Sequence, residues 1–440
     1  MTGSSDCVVC VDVGSTFTKA ALVELGSGRL LGTASHRTTI DTDVMDGYDA
    51  CRALLGAGAA VPALACSSAG GGLRLAVVGY ERVVTAEAGR RVGLSAGGRV
   101  VHVTAGPMSG DDLDALVAAR PDVVLLVGGT DGGNSETLLH NSVALAGRPI
   151  AVPVVVSGNV DARERATAVL GSAGVRVTAT ANVLPVIGRL DPTPARLAIR
   201  QVFIRHVIGG KGLSRRADFP AMVRAATPDA VLAGVEVLAA AVGADVLVVD
   251  VGGATTDVYS VVTPNGEDAA LRKDVVETMW RSRTVEGDLG MRWNAEGIVD
   301  AAEREQLLAV DESASLRTAA EVRSADPAYL PVDDDAHAVD ARLGELAVAV
   351  ALRRHGRGSG KDLRQVRLVV GSGGVLRHAS AVVRRQVLGP ASSDLAGGWA
   401  LPESARTVVD ESYVLAAAGL LADEYPVAAA RLLQRHLAAS

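Results

Sequence analysis

The 440-residue chain contains few aromatic residues and no long uninterrupted apolar run. Phenylalanine, tryptophan and tyrosine make up 3% of its residues, whereas 48% are hydrophobic, so its cores must consist mainly of valine, leucine and alanine. The most apolar stretch, around 231–251, is interrupted by Glu236, Gly243 and Asp245, whereas a membrane-spanning helix needs about 20 predominantly apolar residues. The first residues do not resemble a signal peptide. We therefore expect a cytoplasmic protein that does not enter a membrane.

The chain also lacks a basic charge excess and a metal-ligand pattern. Its formal net charge is −7, whereas nucleic-acid-binding domains present a basic face. Cys7 and Cys10 form a Cys-x-x-Cys pair, but no second pair follows, and residues three apart on a strand point to opposite faces. The eight histidines show no HxxxH or HExxH spacing. The sequence thus predicts no nucleic-acid partner, no structural metal and reduced thiols.

One motif occurs twice in the chain. Residues 9–24 have the sequence VCVDVGSTFTKAALVE, and residues 248–263 have the sequence VVDVGGATTDVYSVVT. Aligned on Asp12 and Asp250, both copies contain an apolar strand, Asp-Val-Gly, a short turn and a second strand. A single Asp-Gly turn closes many ordinary hairpins. Two matched copies instead predict two related halves that face each other across a nucleotide.

Each copy carries groups that suit a phosphate and a magnesium ion. Glycines let the backbone turn tightly and point N–H groups at phosphate oxygens, and hydroxyl groups add further donors. Mg²⁺ keeps several waters and takes only one or two carboxylates directly. GxxxxGK[ST] occurs nowhere, so neither copy is a Walker-type loop. The predicted phosphate-binding residues are Gly14, Ser15, Thr16, Gly252, Gly253, Thr255 and Thr256, and the predicted catalytic and metal-binding residues are Asp12, Asp250 and Asp257.

Alternating strands and helices are predicted between the two copies. Residues 122–127 form an apolar run typical of a buried strand, and GGTDGG follows at 128–133. Repeated strand–helix units imply a mostly parallel sheet, in which ligands bind outside the carboxyl ends of the strands. Thr227 as N-cap and Pro228 at the first helical position then predict a helix that leads into the second copy.

Two segments downstream of the second copy also carry predictions. Residues 300–335 are highly charged and include two prolines, which favours a mobile surface segment. A strand at 365–370 precedes Gly371, Gly373 and Gly374. Glycines there allow the backbone to lie flat against a purine or a ribose, although a strand–helix turn that needs positive φ is the alternative explanation.

In this order, the motifs resemble those of the actin/Hsp70/sugar-kinase ATPase superfamily. The resemblance assigns 12–19, including Lys19, to the first phosphate motif, 250–257 to the second and 371–374 to the adenosine motif. It implies an α/β fold of two related actin/Hsp70-like (ribonuclease H-like) halves around a nucleotide cleft. The expected domains are a first half at 1–190 with an inserted βα region at about 65–185, a second half at 191–405, and C-terminal helices at 406–440 that return to the first half.

Four segments resemble a narrower family. They are ACSSAGGGLRLAVVGY at 65–80, TAEAGRRVGLSAG at 85–97, LLVGGTDGGNSETLLHN at 125–141 and RTVEGDLGMRW at 283–293. These segments are similar to the MutL (glutamate mutase L) family, which is associated with adenosylcobalamin-dependent aminomutases and is unrelated to the mismatch-repair protein of that name. The resemblance implies an ATP- and Mg²⁺-dependent reactivating chaperone whose partners are B12-dependent aminomutase subunits.

Several alternatives stay open at this point. Glu286 and Asp288 flank a glycine and form either a magnesium or water-positioning site or a solvated turn. Residues 67–72 either approach the nucleotide or form a tight crossover. A small-molecule kinase of the same fold would need a base such as Asp131 or Glu136, and a filament-forming protein or a scaffold without turnover would also carry these motifs.

Overall fold

The computed structural model describes residues 6–69, 73–81, 85–96, 98–148, 150–208, 212–263, 281–359, 361–394 and 398–438. These residues form two compact units. Unit 1 contains the described residues up to Ala233 together with 419–423, and unit 2 contains 234–263, 281–418 and 424–438.

The strands of the described residues fall into three five-stranded sheets. Their apolar runs, such as Val8, Val9 and Val11, are buried. The strands are β1 (Cys7–Val13), β2 (Phe17–Glu24), β3 (Arg29–Arg37), β4 (Ala63–Ser67), β5 (Arg74–Gly79), β6 (Arg99–Ala105), β7 (Val123–Leu126), β8 (Val154–Val156), β9 (Val177–Ala179), β10 (Val223–Ala226), β11 (Val246–Val251), β12 (Thr256–Val261), β13 (Arg281–Glu286), β14 (Leu368–Ser372) and β15 (Arg406–Val409).

Helices connect and cover these strands. They are α1 (Val44–Leu54), α2 (Thr85–Ser95), α3 (Gly110–Ala118), α4 (Glu136–Ala146), α5 (Val160–Ser172), α6 (Thr193–Val202), α7 (Asp218–Met222), α8 (Thr227–Val242), α9 (Ala295–Arg304), α10 (Val310–Ala325), α11 (Asp334–Ser359), α12 (Gly374–Arg377), α13 (Ala381–Leu388), α14 (Pro390–Ser393), α15 (Val414–Leu421) and α16 (Pro426–Leu433), with π-helical turns at 203–208 and 434–438. Across the described residues, these helices do not combine the length and the apolar composition of a bilayer span.

Two of the three sheets repeat one strand order. The order is β3-β2-β1-β4-β10 in unit 1 and β13-β12-β11-β14-β15 in unit 2. In both sheets the first three strands in chain order are antiparallel neighbours, and the two remaining strands run parallel to the first. This repeat confirms the prediction of an α/β protein with two related ribonuclease H-like halves.

The third sheet contains the predicted βα units of the first half. Its order is β6-β5-β7-β8-β9, and all of its strand pairs are parallel. Alternate residues of β7 point to different cores: Leu125 packs with β1 and β5 residues, and Leu126 packs with α3, α4 and α5. Burial on both faces explains why 123–127 is continuously apolar. The sheet begins at Arg74, because β4 belongs to the ribonuclease H-like sheet of unit 1.

The units divide the chain at a different place from the expected domains. Strand β10 pairs parallel with β4, so residues 191–233 group with unit 1 although we expected a second half from 191. Of the segment 406–440, residues 419–423 group with unit 1, and the remaining described residues group with unit 2.

The prediction of a mobile segment at 300–335 is wrong. The segment contains the end of α9, all of α10 and the start of α11. Several of its charges are paired: Arg317 bonds Asp300 at 2.7 Å and Glu303 at 2.9 Å, which ties α10 to α9. The buried Arg323 bonds Asp340 of α11 at 2.6 Å. Ion pairs formed by charged residues of this segment therefore connect neighbouring helices.

Candidate functional site

The first candidate phosphate turn lies between β1 and β2 in unit 1. The N–H of Gly14 donates to the carbonyl of Phe17 at 3.1 Å, which closes the turn. A Cβ at Gly14 would lie 2.7 Å from that carbonyl oxygen, so this position requires glycine. Ser15 and Thr16 are exposed at the tip of the turn. The predicted hairpin is therefore present, with its hydroxyl side chains accessible to a ligand.

Asp12 lies at the carboxyl end of β1 and contacts three other elements of unit 1. It is opposite Lys19 in the hairpin register, and Lys19 Nζ lies 3.8 Å from Asp12 Oδ2. The hydroxyl of Thr227 donates to Asp12 Oδ1 at 2.6 Å. The thiol of Cys66 on β4 lies 3.6 Å from the same oxygen. Burial, with the nearby Asp12 charge, raises the pKa of Cys66 well above its usual value, so this thiol stays protonated.

The second candidate phosphate turn lies between β11 and β12 in unit 2. The N–H of Gly252 donates to the Thr255 carbonyl at 2.9 Å, which reproduces the bond of the first turn. A Cβ at Gly253 would approach nothing closer than 3.9 Å, so that glycine leaves open space. The buried Thr256 hydroxyl donates to the carbonyl of Leu289 at 2.7 Å. Thr256 was predicted to bind phosphate, but its hydroxyl proton is engaged by the backbone.

Asp250 and Asp257 are directly opposite in the β11–β12 register, so both side chains lie on one face of the sheet. Arg283 on β13 lies on this face and places Nη2 3.3 Å from Asp257 Oδ2. Its guanidinium carbon is 5.5 Å from the centre of the Tyr259 ring. Burial raises the pKa of Asp257, the Arg283 charge opposes that rise, and the Asp250 charge adds to it.

The acid pair fits a hard cation. Asp257 Oδ1 is buried and has no hydrogen-bond partner among the described residues, and a buried carboxylate oxygen without a partner is costly. No group of three or more His, Cys, Asp or Glu side chains in the described part of the chain could hold a metal ion. Mg²⁺ needs fewer, because it takes one or two carboxylates and completes its shell with water and phosphate oxygens.

Glu286 and Asp288, the alternative metal ligands, both bind Arg354 of α11. Arg354 Nη1 lies 2.8 Å from Glu286 Oε2 and 2.7 Å from Asp288 Oδ1, and Nη2 lies 2.9 Å from Asp288 Oδ2. Burial raises the pKa of Glu286, although Arg354 opposes the rise. A cation at these carboxylates would have to displace a guanidinium that already bridges them.

The predicted adenosine motif at 371–374 spans the end of β14, the parallel neighbour of β11 in unit 2, and the first residue of α12. Gly373 has φ +104°, and a Cβ there would lie 2.1 Å from the carbonyl oxygen of Val251. A Cβ at Gly371 would lie 2.6 Å from Leu388 Cδ1, whereas one at Gly374 would meet nothing within 4 Å. Packing therefore accounts for Gly371 and Gly373, and Gly374 is the position with room for a ligand.

The GGTDGG loop after β7 is held by its own side-chain bonds. Asp131 Oδ1 accepts the N–H of Val160 at 3.0 Å and Nδ2 of Asn182 at 2.9 Å. The buried Asn159 donates to the carbonyls of Thr130 at 2.8 Å and Gly133 at 3.1 Å. Asp131 thus caps α5 and anchors the loop, and these bonds leave Asp131 poorly suited to act as a substrate base.

The two alternatives for residues 67–72, an approach to the nucleotide or a tight crossover, stay predictions, because 70–72 lie outside the described residues.

Comparison with known proteins decides the family. The family model described as MutL protein matches residues 8–437. The chain belongs to the MutL protein family. It is 33% identical over 460 residues to Protein MutL of Clostridium tetanomorphum, with 98% of this chain and 99% of the relative covered. The family predicted from the four sequence segments is therefore confirmed.

Solved structures similar to this MutL chain are more distant. Nucleotide-free acetone carboxylase, from a study of ATP-dependent acetone carboxylation, is 16% identical with a TM-score of 0.43, over 95% of this chain and 70% of the carboxylase chain. Component A of (R)-2-hydroxyglutaryl-CoA dehydratase from Acidaminococcus fermentans is 9% identical with a TM-score of 0.31, over 97% of both chains. The fold assignment rests instead on the strand order repeated in the two units.

Proposed function

We propose that this MutL protein binds and hydrolyses MgATP and thereby reactivates an adenosylcobalamin-dependent aminomutase of the glutamate mutase type. The proposal that the protein binds a nucleotide rests on the repeated hairpin. Each of the two hairpins has a glycine-closed turn beside a carboxylate, Asp12 in unit 1 and Asp250 in unit 2. Membership of the MutL family supports the mutase as the partner.

In this proposal the two turns hold the phosphates. Backbone N–H groups and the Ser15, Thr16 and Thr255 hydroxyls donate to phosphate oxygens, and Lys19 adds a positive charge. Asp12, Asp250 and Asp257 hold the metal, partly through water, and orient the attacking water molecule. When bound, Mg²⁺ neutralises charge on the phosphates, and catalysis is mainly positioning and electrostatic stabilisation.

Adenosine is proposed to lie against the loop after β14. Gly374 is open, and Gly373 lets the backbone there lie close to Val251 of the second hairpin. Both hairpins bind the phosphates in this proposal, so loss of the γ-phosphate removes a ligand that they share. The resulting motion of the halves would open the partner mutase and let a damaged cobalamin leave.

The test is reactivation of an inactivated mutase. The mutase is incubated with intact adenosylcobalamin, MgATP and either this protein, its Asp257→Ala variant or its Asp300→Ala variant. Asp300 is an exposed aspartate of the same unit and serves as the matched control. We expect recovery of mutase activity with the wild type and with Asp300→Ala, but not with Asp257→Ala. Equal recovery with all three, or none with the wild type, would contradict the proposal.

The same reagents separate a chaperone from a small-molecule kinase. ADP release is followed while candidate acids and sugars are added without mutase. A chaperone should release ADP at a rate that these compounds do not change. Release that depends on one of them would identify a kinase, with a base other than the anchored Asp131.

A further inference from the structure

Thr227 has a different contact from the one that its sequence position predicts. The Thr-Pro pair predicts an N-cap, yet Thr227 is the first residue of α8 and its hydroxyl donates to Asp12 Oδ1 at 2.6 Å. The two residues are 215 positions apart in the chain. A short hydrogen bond to a carboxylate is among the stronger hydrogen bonds in proteins.

This bond gives the two oxygens of Asp12 different surroundings. Thr227 and Cys66 both contact Oδ1, whereas Oδ2 faces Lys19 at 3.8 Å. A carboxylate on a strand end can otherwise rotate about its terminal torsion, which is broad. The hydroxyl from α8 and the thiol from β4 therefore fix the plane of the carboxylate and leave Oδ2 on the side of the Lys19 charge.

A second Thr-Pro helix start shows that the local sequence does not by itself require this contact. Thr193 begins α6 and precedes Pro194, as Thr227 begins α8 and precedes Pro228. Thr193 is exposed, whereas Thr227 is half-buried against Asp12. The two threonines share a local sequence and helix position but differ in tertiary contact, which makes them a matched pair for mutation.

We propose that Thr227 is a positioning residue that holds Asp12 through Oδ1 and so presents Oδ2 to the cation of a bound nucleotide. The inference rests on the proposed MgATP function and adds to it a residue outside the two repeated hairpins and the motif at 371–374. It requires the hydroxyl group, not the helix start, and serine therefore substitutes for threonine whereas valine does not.

The test measures binding of a fluorescent ATP analogue as a function of Mg²⁺ concentration, with and without EDTA. The variants are Thr227→Val, Thr227→Ser and the control Thr193→Val, and Thr227→Ala replaces the valine variant if that one does not fold. We expect Thr227→Val to need about tenfold to a hundredfold more Mg²⁺ for half-maximal binding, the range for a hydrogen bond to a charged group. Thr227→Ser and Thr193→Val should stay within about threefold of the wild type. In EDTA all four proteins should bind the analogue equally, because only the metal-dependent part is affected.

Three outcomes would overturn the inference. If Thr227→Val shows the wild-type Mg²⁺ dependence, the hydroxyl does not position Asp12. If it weakens binding equally with Mg²⁺ and with EDTA, its effect is on the fold of the site. If the wild type binds no analogue at any Mg²⁺ concentration, the proposed function fails and the inference fails with it.

Discussion

Arg283 is the buried counter-charge of the acid pair in unit 2. Its side chain is 5% exposed and that of Asp257 is 13% exposed. Removing one partner of a buried ion pair leaves the other charge uncompensated, which costs about 3–5 kcal/mol. We therefore expect Arg283→Met to lower the free energy of unfolding by this amount in urea titrations.

An exposed arginine of the same unit provides the control. Arg317 pairs with Asp300 across a surface where the two side chains are 36% and 50% exposed. Exposed pairs contribute less than about 1 kcal/mol, so Arg317→Met should change little. Losses of similar size for the two variants would show that Arg283 is not the counter-charge on which Asp257 depends.

Lys361 is a buried lysine that contacts β12 of the second hairpin. Its Nζ lies 3.3 Å from Ser260 Oγ, and His355 Nε2 lies 2.9 Å from the same hydroxyl. Burial lowers the pKa of Lys361 to about 7, and burial with the Lys361 charge lowers the pKa of His355 to about 3. Burial therefore disfavours the charged form of both groups in the folded protein.

The lowered pKa of Lys361 gives stability a defined pH dependence. Between pH 7 and about 10.5 the unfolded chain binds a proton at this lysine that the folded chain does not, so stability falls as the pH is lowered through this range. Lys361→Met removes the effect. In urea titrations at pH 7, 8 and 9, the stability of the variant relative to the wild type should rise toward pH 7, by up to about 1.4 kcal/mol per pH unit. A difference that stays constant with pH would contradict this account.

At this scale the sequence identified carboxylates but not the residues that hold them. Asp12, Asp250 and Asp257 follow from the repeated motif, and the register places the last two side by side. Thr227 and Arg283 could not be found in this way. Their contacts depend on which strands and helices become neighbours in the fold. The spacing of residues along the chain does not indicate those neighbours.

At the scale of elements, two neighbouring glycines after β14 have different roles. Packing requires Gly373, whereas Gly374 leaves room for a ligand. Gly373→Ala would force a Cβ to within 2.1 Å of the Val251 carbonyl oxygen at φ +104°, whereas Gly374→Ala would meet nothing within 4 Å. We expect the first substitution to lower the thermal midpoint strongly or to prevent folding. The second should keep the thermal midpoint and weaken ATP binding.

The two variants are compared by thermal unfolding and by nucleotide titration. Loss of stability in Gly374→Ala, or normal stability in Gly373→Ala, would contradict the packing described here. Normal ATP affinity in a folded Gly374→Ala would instead remove this loop from the proposed adenosine site.

The elements that the sequence predicted well are those with a strong local signal. The α8 helix was predicted from its Thr-Pro start, and it ends at Val242, directly before Gly243 with φ +63°. The charged segment 300–335 was misjudged because composition alone does not show pairing. Arg323 and Arg292 both bind Asp340 at 2.6 Å, and this cluster joins segments that are distant in the sequence.

At the scale of the whole molecule, the duplication was predictable from the two DVG hairpins. The repeated strand order of the two sheets agrees with it. The place where the chain divides was not predictable. The fifth strand of the first sheet, β10, has four residues and lies in an irregular basic stretch, so no pattern marks it as a partner of β4.

The central proposal is that both hairpins take part in binding one MgATP. Calorimetric titration with MgATP tests this proposal most directly. The wild type is compared with Asp250→Asn, which keeps the shape of the side chain and removes its charge. The account predicts one MgATP bound per wild-type chain and a large loss of affinity in Asp250→Asn when Mg²⁺ is present. No binding to the wild type, or equal affinity in the two proteins, would contradict it.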